Sequence, residues 1–277
     1  MKKIFLLVSG ISALLITNAQ MPAPSPTEML SQDFGLGKII VTYSRPALKN
    51  RTVFMQNCEL APLGKLWRTG ANAATKINFT DKVSMGGKDL DSGTYVLYTI
   101  PGKNQWEIIL NKGLKNWGAD GYMESDDIVR FKVPVTAISP SVESFTMQVA
   151  NIKFESCDLQ LSWGNTMVNI PITTHIKARI RNQLEQALMN SDKKPYWQAA
   201  NFYFQWDKNN DKALDNVNKA ITENPDAYYM YLLRAKIEKA QGKKMQAKND
   251  AQKCIELATA AKNDEYVMLG NELMKSL

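Results

Sequence analysis

The spacing of apolar residues changes once along this chain, near residue 174, and that change limits the folds open to it. Before it, β-branched and aromatic residues alternate in steps of two; after it they recur at three and four. In 38–44, Ile39, Val41 and Tyr43 alternate with Ile40, Thr42 and Ser44. Similar segments at 75–80, 82–85, 94–100, 106–111, 128–135, 144–154, 157–163 and 166–172 bring the predicted strands to nine. The connections leave no room for crossover helices, so the strands must pair antiparallel, as a β-sandwich or barrel-like domain. Turn chemistry agrees at Gly86-Gly87 and Pro101-Gly102, and Gly164-Asn165 reads as a two-residue hairpin link between two strands.

From Ile176 the rhythm is helical, with Ile180, Leu184, Ala187 and Leu188 on one face. Pairs of like residues then stand 34 apart: Trp197 and Tyr231, Asn201 and Ala235, Ala213 and Ala247, Ala220 and Cys254. Small side chains at Ala213, Ala220, Ala235, Ala247 and Cys254 let helices cross closely, which makes Cys254 a small apolar group rather than a reactive thiol. Pro225 ends one helix, Gly242 marks a turn, and a last helix at 264–276 covers the apolar end. Over residues 194–261 this resembles the tetratricopeptide family, with Asn201, Glu238 and Thr259 departing from the usual residues. The resemblance implies a concave surface for a protein or peptide partner; the competing reading is that the helices only pack on the β domain or end the chain.

The start of the chain has the pattern of a secretory signal. Lys2 and Lys3 precede an apolar run from Ile4 to Ile16 that is too short to span a bilayer, and Thr17 and Ala19 mark cleavage after residue 19. The expected organisation is therefore a signal peptide at 1–19, a β-rich domain at 20–173 and a helical module at 174–277. The mature protein should be exported and soluble, in the periplasm or outside the cell, with no membrane span. The first cysteine, Cys58, stands too far from that boundary for lipoprotein acylation. Residues 20–172 carry 15 Lys and Arg against 14 Asp and Glu, and residues 173–277 carry 17 against 13. Because the basic residues of the helical half alternate with acidic ones, the pattern is that of a solvated surface and not of a nucleic-acid site. Cys58 and Cys157 are open to bridging or to remaining free. One histidine, His175, and cysteines at no ligand spacing leave no zinc site and no catalytic triad, and no cofactor motif is present.

Several strings in the β half occur together: residues 41–53 (VTYSRPALKNRTV), 66–75 (LWRTGANAAT), 91–95 (DSGTY), then Trp106, Asn111, Trp117-Gly118 and Asp127 to Arg130. Over about 22–150 they resemble the bacterial family called domain of unknown function 2911. The resemblance implies an exported protein of the Bacteroidota type and brings no activity with it. Ala73 stands where that pattern has an acidic residue, so no general acid or base is expected there.

The candidate ligand-binding residues are Arg45, Arg51, Trp67, Arg68, Asn72, Trp117, Asp127 and Arg130, all in or beside turns. Guanidinium forks beside indoles would suit a carboxylate, phosphate or sugar if they converge; the competing reading is that Arg and Asn satisfy loop carbonyls while Trp fills the core. Three functions follow: a non-catalytic binding protein of the envelope, a hydrolase or other enzyme using Arg45, Arg68, Asn72 and Asp127, or a carbohydrate-binding module with solvent-facing Trp67, Trp106 or Trp117. Asp120, Glu124, Asp126 and Asp127 do not fit a calcium loop. Gly35-x-Gly37 precedes a strand and so is not a phosphate loop.

Overall fold

The computed structural model describes residues 21–277, so the expected signal segment lies outside the described residues. The chain divides into two compact units between Thr174 and His175. No helix among the described residues is long and apolar enough to cross a membrane.

The described residues of the first unit form nine strands: β1 (Thr27–Phe34), β2 (Gly37–Ser44), β3 (Thr75–Phe79), β4 (Val83–Met85), β5 (Lys88–Leu90), β6 (Gly93–Ile100), β7 (Gln105–Asn111), β8 (Asp127–Ala150) and β9 (Ser156–Thr173). They form one sheet in the order β1-β2-β3-β6-β7-β8-β9-β4-β5, and the paired strands are antiparallel. Alternation decides the faces. Ile39, Val41 and Tyr43 of β2 point into a core shared with Ile77, Leu97, Trp106, Ile108, Phe145 and Trp163. The central strands β6 and β7 are covered on their second face too, by a smaller cluster of Val96, Tyr98 and Ile109 with Leu66 and Tyr122 packed on it.

The strands match nine in number but not in identity. β1 was hidden behind Pro22, Pro24 and Pro26, yet it pairs with β2 without interruption from Thr27↔Ser44 to Phe34↔Gly37. Segments 128–135 and 144–154 belong to one long strand, β8, whose register shifts between Ala137 and Val142 and again before Thr146. The expected hairpin at Gly164-Asn165 is not formed: Gly164, at φ +58, lies inside β9 and pairs with Val142. A bulge uses the same left-handed glycine as a tight turn, so the local sequence does not separate them. Gly86 and Gly87, at φ +57 and +78, do make the turn between β4 and β5.

The second unit has six helices: α1 (Lys177–Asn190), α2 (Tyr196–Gln205), α3 (Asn210–Glu223), α4 (Tyr228–Ala240), α5 (Lys244–Ala260) and α6 (Asp264–Lys275). Asn209 and Asn263 cap α3 and α6 by accepting from the amides of Lys212 and Tyr266. Ala213, Ala235, Ala247 and Cys254 are fully buried and Ala220 nearly so, and burial pushes the Cys254 thiol up to about 11. The larger Trp197 packs edge-on to Tyr229 at 5.0 Å.

Glu238 breaks the apolar rule of this core. It is 8% exposed and lies beside an ion pair in which Arg234 Nε and Nη2 donate to the two Asp250 oxygens at 2.5 and 2.7 Å. Arg234 Nη1 also donates to Asn218 Oδ1 at 2.9 Å, while Glu238 Oε2 is buried without a hydrogen-bond partner. Burial first and the Asp250 carboxylate second push the Glu238 carboxyl up to about 7, against the pull of Arg234. The folded unit therefore holds this proton more tightly than the unfolded chain. The contribution of this group to stability is fully present below the ordinary value of 4.5 and is lost as pH rises through about 7. Glu238→Gln is expected to stabilise the helical unit by about 1–3 kcal/mol at pH 8, raising its midpoint by roughly 5–10 °C, with little change at pH 4.5. Thermal melts followed at 222 nm at the two pH values check this, and equal shifts at both would remove charge as the cause.

Candidate ligand pocket

Of the eight candidate residues four are structural ties, three line one pocket, and Trp117 does neither. Arg45 is a tie: Nη1 meets Glu28 Oε2 at 2.7 Å, Nε donates to the Phe145 carbonyl at 3.1 Å and Nη2 to Thr146 Oγ1 at 2.7 Å. It joins β1 to the second half of β8 alongside Tyr43, whose hydroxyl donates to Glu28 and accepts from the Met147 amide. Arg51 donates to the carbonyls of Leu48 and Ala47 and so closes its own loop.

Asp127 and Arg130 are tied as fully. Asp127 Oδ1 accepts from Asn111 Nδ2 at 2.8 Å, and Oδ2 accepts from Tyr122 and from Arg130 at 2.7 and 2.8 Å. Arg130 also reaches Glu107 at 3.3 Å and Glu124 at 3.8 Å. Burial raises the Tyr122 phenol, and its hydrogen bond to Asp127 raises it further. This network fastens the 112–126 segment to the end of β7 and the start of β8, and both Asp127 oxygens are used in it.

Trp67, Arg68 and Asn72 come together in the stretch 45–74, which carries only isolated bridges to the sheet at Ala47 and Trp67. Irregular segments of that length are commonly functional. They line a pocket of about 290 Å³ whose walls include Pro46, Leu60, Leu66, Trp67 and Trp163. Trp67 is 5% exposed and stacks on Trp163 at 5.8 Å with 16° between the planes. Two residues beside the pocket hold left-handed backbone, Thr69 at φ +56 and Asn72 at φ +57. For a β-branched residue this is strained, and the fully buried Thr69 is held there by hydrogen bonds to Thr99 and from Thr75. Such strain tends to collect where a site is built.

Arg68 supplies the charge. Its Nη1 donates to the Asn72 carbonyl at 2.8 Å, and its guanidinium lies so close over Gly118 that a Cβ there would stand 2.6 Å from Cζ. Among the described residues it forms no ion pair. Asn72 in turn donates to Ser44 Oγ and the Ser25 carbonyl, both at 3.2 Å. Arg45 makes its contacts on the Tyr43 side of β2 and Asn72 on the Ser44 side, so these two do not share one face. Trp106 is 2% exposed and Trp117 is 65% exposed, so of the three indoles only Trp117 faces solvent.

The sequence reading missed Glu59 and Trp163 as pocket residues. Glu59 sits in the irregular stretch, where no periodicity marks a position, and Trp163 was legible only as a strand residue. Cys58 and Cys157 are both free; burial raises the Cys157 thiol to about 12. Among the described residues no group of His, Cys, Asp or Glu is arranged to hold a metal.

A nine-stranded antiparallel unit with a half-open pocket under its longest loop, followed by six helices, defines a β-then-helical protein whose motif residues mostly build the β unit. Residues 25–172 match the family described as "Protein of unknown function (DUF2911)", more than half of the chain, and the chain belongs to that family. The match runs through β9, past the expected limit near 150, and stops before the helices. The comparisons with curated proteins and with solved structures found no match.

Proposed function

We propose that this chain is an exported, non-catalytic binding protein of the cell envelope, whose β unit takes a small ligand and whose helices contact another protein. The observation that carries the first part is Arg68, steadied by Asn72 and Gly118 beside an apolar wall and left without an anionic partner. Oriented guanidinium with apolar surface beside it is the composition of a small-ligand site. Sandwich form is supported by a main core drawn from both ends of the sheet. A tetratricopeptide-like stack is supported by buried small residues that repeat at 34 residues, and its open face would receive the partner.

Native mass spectrometry of the protein recovered from envelope extract tests the ligand claim. The wild type is expected to carry a small-molecule adduct that Arg68→Gln lacks, with melting temperatures that agree. An adduct retained by Arg68→Gln would place binding elsewhere. Pull-down with and without residues 174–277 tests the partner, which should disappear with the helices.

A further inference from the structure

Resting on the Arg68 pocket as the ligand site, we infer that its ligand is a zwitterion of amino-acid type: an apolar α-amino acid or a short peptide with both termini free. Arg68 spends Nη1 on the Asn72 carbonyl and lays the face of its guanidinium on Gly118. The edge formed by Nε and Nη2 is left over. Those two parallel N–H groups match the two oxygens of a carboxylate, which a fixed fork binds with less ordering cost than a mobile lysine would.

The same pocket is lined by Glu59, which, like Arg68, forms no ion pair among the described residues. An exposed acid and a guanidinium that line one pocket without pairing disfavour a simple anion, because the acid repels it, and favour a ligand with an ammonium group as well. Between them, Leu60, Leu66, Trp67 and Trp163 provide apolar wall for a side chain. A volume of about 290 Å³ is at the small end for ligand pockets and suits one or two residues rather than an extended chain. Each half of the ligand is then recognised by a different residue, and the two can be removed separately.

Titration calorimetry on the full mature chain tests this with three probes: L-phenylalanine, N-acetyl-L-phenylalanine, which lacks the ammonium, and L-phenylalanine amide, which lacks the carboxylate. Phenylalanine is expected to bind at least about tenfold more tightly than either derivative, a difference of the size one charged contact gives. Glu59→Gln should bring phenylalanine and the acetylated probe to equal affinity, and Arg68→Gln should abolish binding of both. If the acetylated probe binds as well as phenylalanine and Glu59→Gln changes nothing, the ligand is a plain carboxylate: the zwitterion inference falls while the pocket stands. If none of the probes binds the wild type, the inference falls as well, and the adduct measurement above decides separately whether the pocket is a site.

Discussion

Trp163→Ala is expected to destabilise the β unit by about 3–5 kcal/mol, the range for removing a fully buried large aromatic. Its indole is 1% exposed. It stacks on Trp67 and lies 5.7 Å from Phe145 and 6.0 Å from Phe54, all between ring centroids. Its N–H donates to the Glu143 carbonyl at 3.1 Å. Alanine removes the ring contacts and leaves the Glu143 carbonyl with only the Leu48 amide as donor. The midpoint of the β unit should drop by roughly 10–15 °C in a melt followed by near-ultraviolet circular dichroism. Trp117→Ala, at a 65% exposed indole, should change stability by no more than about 0.5 kcal/mol. Comparable losses from the two variants would mean that the aromatic cluster is not the centre of this core.

Asp127→Ala should cost about 2–4 kcal/mol, which is large for a residue at the margin of a sheet. The side chain is 9% exposed and accepts from Asn111, Tyr122 and Arg130, one of them charged. Its removal leaves the Tyr122 hydroxyl without its acceptor and Asn111 Nδ2 with only the Met123 carbonyl, while Arg130 keeps Tyr122, Glu107 and the more distant Glu124. Glu124→Ala is the control, since that carboxylate is 79% exposed and 3.8 Å from Arg130, and it should have little effect. Urea denaturation of the three proteins gives the comparison. An Asp127→Ala variant as stable as wild type would return this residue to the list of functional groups.

Legibility in the sequence followed how local the determining physics was. β2 could be read because one of its faces is buried and the other is not, so Ile39, Val41 and Tyr43 announce the period themselves. β1 could not, since Met29 is 71% exposed and the strand lies at the edge of the sheet, with few apolar residues to mark it. Gly164 was misread because a bulge inside β9 and a hairpin turn ask the same thing of a glycine. Arg68 and Asp127 looked alike as polar residues near turns, and only the number of partners each has found in space distinguishes the tie from the open group. Glu238 was visible as a departure from the repeat, but its reason lies across the helices in Arg234 and Asp250.

The proposed binding site joins the open edge of Arg68 to the Trp67–Trp163 wall. The indole N–H signals of the six tryptophans report on it directly. During titration of the full chain with a panel of small carboxylates and amino acids, the signals of Trp67 and Trp163 should move together while those of Trp197 and Trp206 stay fixed, and Arg68→Gln should abolish the movement. Shifts confined to Trp117, or unchanged by Arg68→Gln, would contradict it.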